Sequence, residues 1–112
     1  MIIEAILISY LSEQLDVPVY AERPENPETS FVLIEKTGSE NRNRISTATM
    51  AIQSYAGTLL QAAELNQSVK DAMDRIVERT DISSARLNSD YNFTDTSTKQ
   101  YRYQAVYDVV YF

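Results

Sequence analysis

The stretch AIQSYAGTLLQAAELNQSVKDAMDRI, residues 51–76, joins the end of a strand to a long amphipathic helix. Gly57 interrupts the strand pattern, and residues 58–61 match a capping box, in which the Thr58 and Gln61 side chains each satisfy a free backbone amide. Six apolar residues then recur at helical spacing, namely Ala62, Leu65, Val69, Ala72, Met73 and Ile76. This pattern predicts a helix that packs one face on a sheet.

Upstream of this helix, the sequence predicts a β-hairpin. Phe31–Lys36 is rich in β-forming residues, and within Arg44–Tyr55 apolar residues alternate with threonine and glutamine. The polar residues Gly38–Asn43 lie between the two runs, so we expect them to form the hairpin tip. A shorter strand is expected at Val17–Tyr20, before a loop at residues 21–28 that contains two prolines.

The two ends of the chain complete the predicted fold. Ile2–Leu15 has helical spacing, although its isoleucine-rich start is also compatible with a buried strand. Ala85–Asn92 and Lys99–Phe112 are predicted strands on either side of a polar turn. The order α-β-β-β-α-β-β indicates one α+β domain over residues 1–112. We expect a mixed or antiparallel sheet of four to five strands, with two helices packed on one face.

Composition excludes many functions. The chain has 112 residues, a net charge of −6, and neither cysteine nor histidine. Disulfides, Cys/His zinc sites and histidine-based catalysis are therefore excluded, and two distant glycines cannot form a phosphate-binding loop. We predict no enzymatic activity, no cofactor and no metal site. No apolar stretch is long enough to span a membrane, and the acidic balance disfavours a broad nucleic-acid interface.

Candidate interface residues lie in the two predicted hairpin tips. Arg42 and Arg44 flank Asn43 in the first tip, and Phe93 is the apolar residue of the second tip, at residues 93–98. Two arginines on a loop are compatible with simple solvation. They are also compatible with a charged contact to a partner, because arginine is enriched at protein interfaces.

The last predicted strand carries an unusual row of tyrosines. The chain has eight tyrosines and no tryptophan, and Tyr101, Tyr103, Tyr107 and Tyr111 share one face of this strand. They either cover the core, with their hydroxyls at its rim, or form a face that a neighbouring subunit completes. The sequence leaves both alternatives open.

Three groups of segments, in order along nearly the whole chain, carry a resemblance to a known family. They are VPVYAERPENP (17–27) with FVLIEKTG (31–38), AIQSYAG (51–57) with AAEL (62–65), and YNF (91–93) with YRYQA (101–105). Together they resemble the small tail-terminator, or tail-completion, proteins of long-tailed bacteriophages and prophages. No single segment is a catalytic motif.

The resemblance implies a structural role in the virion. Such proteins form a ring, typically six-fold, at the head-proximal end of the tail tube, where they end tube polymerisation and present a surface to the head connector. The expected partners are other copies of the chain, the tail tube protein and the connector or neck proteins. DNA would pass through the ring without specific binding, and assembly would take place in the bacterial cytoplasm. The alternatives are a neck or head-completion protein and, from another class, a small acidic binding domain or enzyme.

Overall fold

A computed structural model describes residues 2–112, and the elements below are those of this range. In chain order they are α1 (Ile3–Gln14), β1 (Val19–Tyr20), β2 (Phe31–Arg42), β3 (Ile45–Ala56), α2 (Leu59–Met73), a 3-10 turn (Ile76–Glu78), β4 (Ile82–Asn92) and β5 (Tyr101–Tyr111). The strands form one five-stranded sheet in the order β1-β2-β3-β5-β4, in which β1 is parallel to β2 and the other pairs are antiparallel. The predicted α+β class, with a mixed sheet and two helices, is confirmed.

Both helices pack on the same face of the sheet, which we call the helix face. Ile3, Leu7 and Leu11 of α1 and Val69 and Met73 of α2 are almost fully buried. They join one core with alternate residues of the central strands, among them Val32, Ile34, Met50, Ile52, Tyr107 and Val109. The opposite side of the sheet carries no helix of the described residues, and we call it the open face.

The second helix follows its sequence pattern closely. The Thr58 hydroxyl accepts a 3.1 Å hydrogen bond from the Gln61 backbone amide, which is one half of the predicted capping box. Five of the six stripe residues are buried, but Leu65 is only partly so, and Asn66 is buried beside it. The Asn66 amide nitrogen donates a 2.6 Å hydrogen bond to Asp90 of β4, which satisfies the donor side of this buried polar side chain.

The first hairpin tip is much shorter than predicted. Gly38–Asn43 was expected to form it, but β2 continues to Arg42, and only Asn43 and Arg44 remain between the strands. Both have positive φ, 54° and 66°, as the two-residue turns that match strand twist require. A bulge between Lys36 and Gly38 leaves Thr37 without a partner in β3 and lets the ladder continue.

The strands after α2 also depart from their predicted bounds. β4 begins at Ile82 rather than Ala85, because Ile82 is buried opposite Tyr111. The second tip is closed by a bridge between Asp95 and Gln100, and the Asp95 carboxylate accepts hydrogen bonds from the Ser97 amide and hydroxyl. None of the helices in residues 2–112 has the length and apolarity that crossing a membrane requires.

Candidate assembly surfaces

The β2–β3 tip presents two arginines to solvent. The Arg42 side chain is 80% exposed and lies 3.1 Å from the carboxylate of Glu40, which is 65% exposed. An ion pair so exposed contributes little to folding and exchanges readily for another partner. A shallow depression of about 310 Å³, lined by Glu40, Arg42, Asn43, Ile45 and Thr47, lies beside the pair. The residues predicted for a charged contact are thus accessible.

The predicted tyrosine face divides into two pairs. Tyr107 and Tyr111 are only 2% and 8% exposed and belong to the core beneath the helices. For this pair the structure favours the core alternative over the interface one, because the single subunit already buries both side chains. Tyr101 and Tyr103 are half-buried and lie at the start of β5. They retain surface that a partner can cover.

An aromatic stack lies on the open face. The Phe31 and Tyr55 rings are nearly parallel, with centroids 4.5 Å apart and an interplanar angle of 8°. The Arg23 guanidinium lies 5.9 Å from the Phe31 centroid and 5.7 Å from the Tyr55 centroid. These cation–π contacts hold the loop after β1 against the stack. Phe31 and Tyr55 are buried, although no helix covers this side.

Arg102 connects this stack to the second hairpin tip. Its guanidinium lies 5.7 Å from the Tyr55 centroid and 4.3 Å from the Phe93 centroid. It donates hydrogen bonds to the Tyr55 hydroxyl at 2.8 Å and to the Phe93 carbonyl oxygen at 2.7 Å. Phe93, predicted as an interface residue, is therefore held in a defined position while 40% of it remains exposed.

A chain of amides continues from the stack across the open face. The Tyr55 hydroxyl donates to Gln53, whose amide donates a 2.8 Å hydrogen bond to Gln104, and the Gln104 amide donates to the Tyr91 hydroxyl. Gln53 and Gln104 are buried register partners on β3 and β5. The sequence analysis singled out neither residue. The one available signal was that each of the two strands carries a glutamine among its apolar and aromatic residues.

A wide depression of about 520 Å³ adjoins the stack at the end of the sheet. Arg23, Phe31, Tyr55, Lys99 and Tyr101 are among the residues that line it. Lys99 adopts a positive φ of 54° within the second hairpin tip. Cations, aromatic rings and the half-buried Tyr101 therefore meet at one end of the molecule, away from the β2–β3 tip.

The groups with shifted pKa values have structural causes. Burial, followed by the nearby carboxylates of Asp74, Asp90 and Asp71, raises the pKa of Tyr107 to about 12. The hydrogen-bonded Arg79 guanidinium lowers the pKa of Asp81. Residues 2–112 contain no cluster of three or more carboxylates that could hold a metal ion.

Comparison with protein-family models gives no match to this chain, and comparison with curated proteins gives none. The proposal below therefore depends on the sequence resemblance and on the surfaces just described.

Proposed function

We propose that the chain is the subunit of a ring that caps the head-proximal end of a bacteriophage tail tube. In this role it ends tube polymerisation and joins the tail to the head connector through protein contacts alone. Its partners are further copies of itself, in a hexamer, together with the tube protein and the connector or neck proteins. DNA passes through the ring, and the protein resides in the virion after assembly in the bacterial cytoplasm.

The β2–β3 tip is the observation that carries this proposal. A strand pair of this length buries little of its own surface at the end, where every residue from Glu35 to Ile45 is exposed. A subunit that works alone gains little stability from such an extension, whereas a ring subunit uses it to reach a neighbour or the tube. Arg42 and Arg44 supply charge for that contact.

The open face supports a second contact. Arg23 and Arg102 fix the Phe31–Tyr55 stack from two sides, so the surface beside Phe93 is ordered before any partner arrives. Ordered aromatic and arginine side chains bind partners well, because little side-chain freedom is lost on association. A ring subunit needs at least two separate contact surfaces. They bind its two neighbours, or a neighbour and the tube.

The decisive experiment uses purified chain and polymerising tail tube protein. We expect substoichiometric amounts of the chain to limit tube length, and electron microscopy to show a ring at one end of each tube. A lysozyme-sized acidic protein without tube affinity serves as the control for non-specific inhibition. If the chain stays monomeric at all concentrations and neither binds nor shortens tubes, the proposed function is wrong.

A further inference from the structure

Two strands leave a backbone edge without a partner among residues 2–112. β1 pairs only with Val32 and Leu33 of β2, so the outer side of β2 is open from Ile34 to Arg42. β4 is the last strand of the sheet, and its outer side is open along its whole length. Such edges present free N–H and C=O groups that can pair with another strand.

The directions of the two edges suit repeated association. β2 is antiparallel to β3, β3 to β5, and β5 to β4, so β2 and β4 run in opposite directions. When copies stand side by side in the same orientation, β4 of one meets β2 of the next as an antiparallel pair. Because the contact joins two different surfaces, it repeats from copy to copy, and it gives a ring when the rotation between successive copies closes.

The charges on the two edges are complementary in one register. Lys36 and Glu40 lie four residues apart on β2, as do Arg86 and Asp90 on β4. Antiparallel pairing that sets Arg86 opposite Glu40 also sets Asp90 opposite Lys36. Opposite charges at facing positions favour association, and a shift of the register by four residues sets like charges against each other.

The bulges in β2 and β4 place the charges that face each other in this register on the same sides of the sheet. Without a bulge, residues four apart would share one face of the sheet. In β2 the bulge at Thr37 puts Lys36 on the helix face and Glu40 on the open face. In β4 the bulge at Asn88 puts Asp90 on the helix face and Arg86 on the open face. Both facing pairs therefore lie on matching sides.

The four charges that face the neighbour differ in how far the free subunit already pairs them. Lys36 lies 3.9 Å from Glu4, and Glu40 has only the exposed contact with Arg42. Arg86 forms no ion pair within the described residues, and Asp108 across from it accepts hydrogen bonds from Thr49 and Asn88. Asp90 contacts Lys70 at 2.6 Å and also accepts the Asn66 hydrogen bond, so Lys36 of the neighbour would have to share this partly exposed carboxylate with them.

We propose that β4 of one subunit pairs antiparallel with the Lys36–Arg42 edge of β2 in a second copy, with Arg86 opposite Glu40 and Asp90 opposite Lys36. The inference rests on the proposed function in one respect: it takes this contact to be the one that joins neighbouring subunits of the ring. It identifies the partner as another copy of this chain, bound through backbone hydrogen bonds and two charged pairs.

Disulfide cross-linking tests the register directly, because the chain has no cysteine of its own. The variant with Glu40→Cys and Arg86→Cys should form intermolecular disulfides on oxidation and give a ladder of covalent oligomers. The control is Glu40→Cys with Leu87→Cys, since Leu87 is 46% exposed but lies on the helix face opposite Tyr107. We expect little cross-linking in the control, because its two sulfurs would point to different sides.

A charge exchange provides the second measurement. Glu40→Arg alone and Arg86→Glu alone should each weaken self-association about tenfold, and the two together should restore it. Equal cross-linking in test and control variants overturns the register, as does no cross-linking at the highest soluble concentration. If the wild-type chain caps tubes but the variant with Glu40→Cys and Arg86→Cys forms no cross-link, only the edge pairing is wrong. If the cross-link forms but tubes are not capped, only the proposed function is wrong.

Discussion

The Tyr10 hydroxyl donates a 2.6 Å hydrogen bond to the Ala72 carbonyl oxygen, which joins α1 to the last turn of α2. The two residues are far apart in sequence but belong to one buried layer on the helix face. Burial raises the pKa of Tyr10, opposed in part by the nearby Arg75 guanidinium. The bond therefore fixes the relative position of the two helices within the core.

Removal of this bond should be measurable in folding. We expect Tyr10→Phe to lower the free energy of unfolding by about 1 kcal/mol, the usual net contribution of a buried neutral hydrogen bond. Urea denaturation followed by circular dichroism measures the change. Tyr103→Phe is the matched control, because that half-buried side chain makes no hydrogen bond within residues 2–112. Equal effects in the two variants would contradict the assignment.

The burial of each side chain along α2 predicts how much stability its substitution by alanine costs. Val69 is fully buried, so Val69→Ala should cost about 2 kcal/mol, and Val69→Asp should prevent folding. Leu65 is only partly buried, and Leu65→Ala should cost less than the 2–5 kcal/mol or so typical of a core leucine. Glu64→Ala, on the exposed side, should change stability by less than about 0.5 kcal/mol. Thermal and urea denaturation of the three alanine variants would establish the order.

The raised pKa of Tyr107 predicts loss of stability in alkali. The phenol ionises near pH 10 in the unfolded chain but only near pH 12 in the folded one. The unfolded state therefore binds fewer protons between these values, and the free energy of unfolding falls by up to about 1.4 kcal/mol per pH unit. Below pH 10 this contribution is fully present.

Denaturation at several pH values from about 9 to about 12, a range that covers the interval between the two pKa values, measures this effect. Tyr107→Phe should reduce the slope in alkali without removing it, since the pKa of Tyr10 is also raised. An unchanged slope in Tyr107→Phe would show that Tyr107 is not the group responsible.

The helix and strand pattern could be predicted from sequence because it depends on local periodicity. The stripe of α2 and the alternation in β3 each indicate one buried face, and the structure has that face where it was expected. The buried Gln53–Gln104 pair could not be predicted, because it needs the register between β3 and β5. For the same reason the sequence could not separate Tyr107, which is buried in the core, from Tyr101, which is only half-buried.

Arg102 should stabilise the open face through the planar shape and hydrogen bonds of its guanidinium group, and not through its charge alone. Arg102→Lys keeps the charge but loses the planar contact with Phe93 and one of the two hydrogen bonds. We expect it to cost about 1–2 kcal/mol, nearly as much as Arg102→Gln. Arg86→Lys, at an exposed position of β4 without these contacts, is the control and should be neutral. A fully stable Arg102→Lys would show that charge is sufficient.

Substitution of the arginines of the β2–β3 tip should impair assembly without affecting folding. In Arg42→Glu with Arg44→Glu, the melting temperature should hardly change, because exposed tip charges contribute little to the folded state. Ring formation and tube capping should weaken, because repulsion replaces attraction at the contact. Higher salt should weaken the wild-type association in the same direction, as expected of a charged contact at the rim of an interface.

The two arginines also differ in their backbone, which provides an internal control. Arg44 has a φ of 66°, whereas Arg42 lies in the regular part of β2. Arg44→Gly should therefore relieve local strain and keep or raise stability while it removes one charge. If Arg44→Gly assembles as weakly as Arg44→Glu, loss of the positive charge is the cause. If the double charge reversal caps tubes normally, the two arginines are merely solvated.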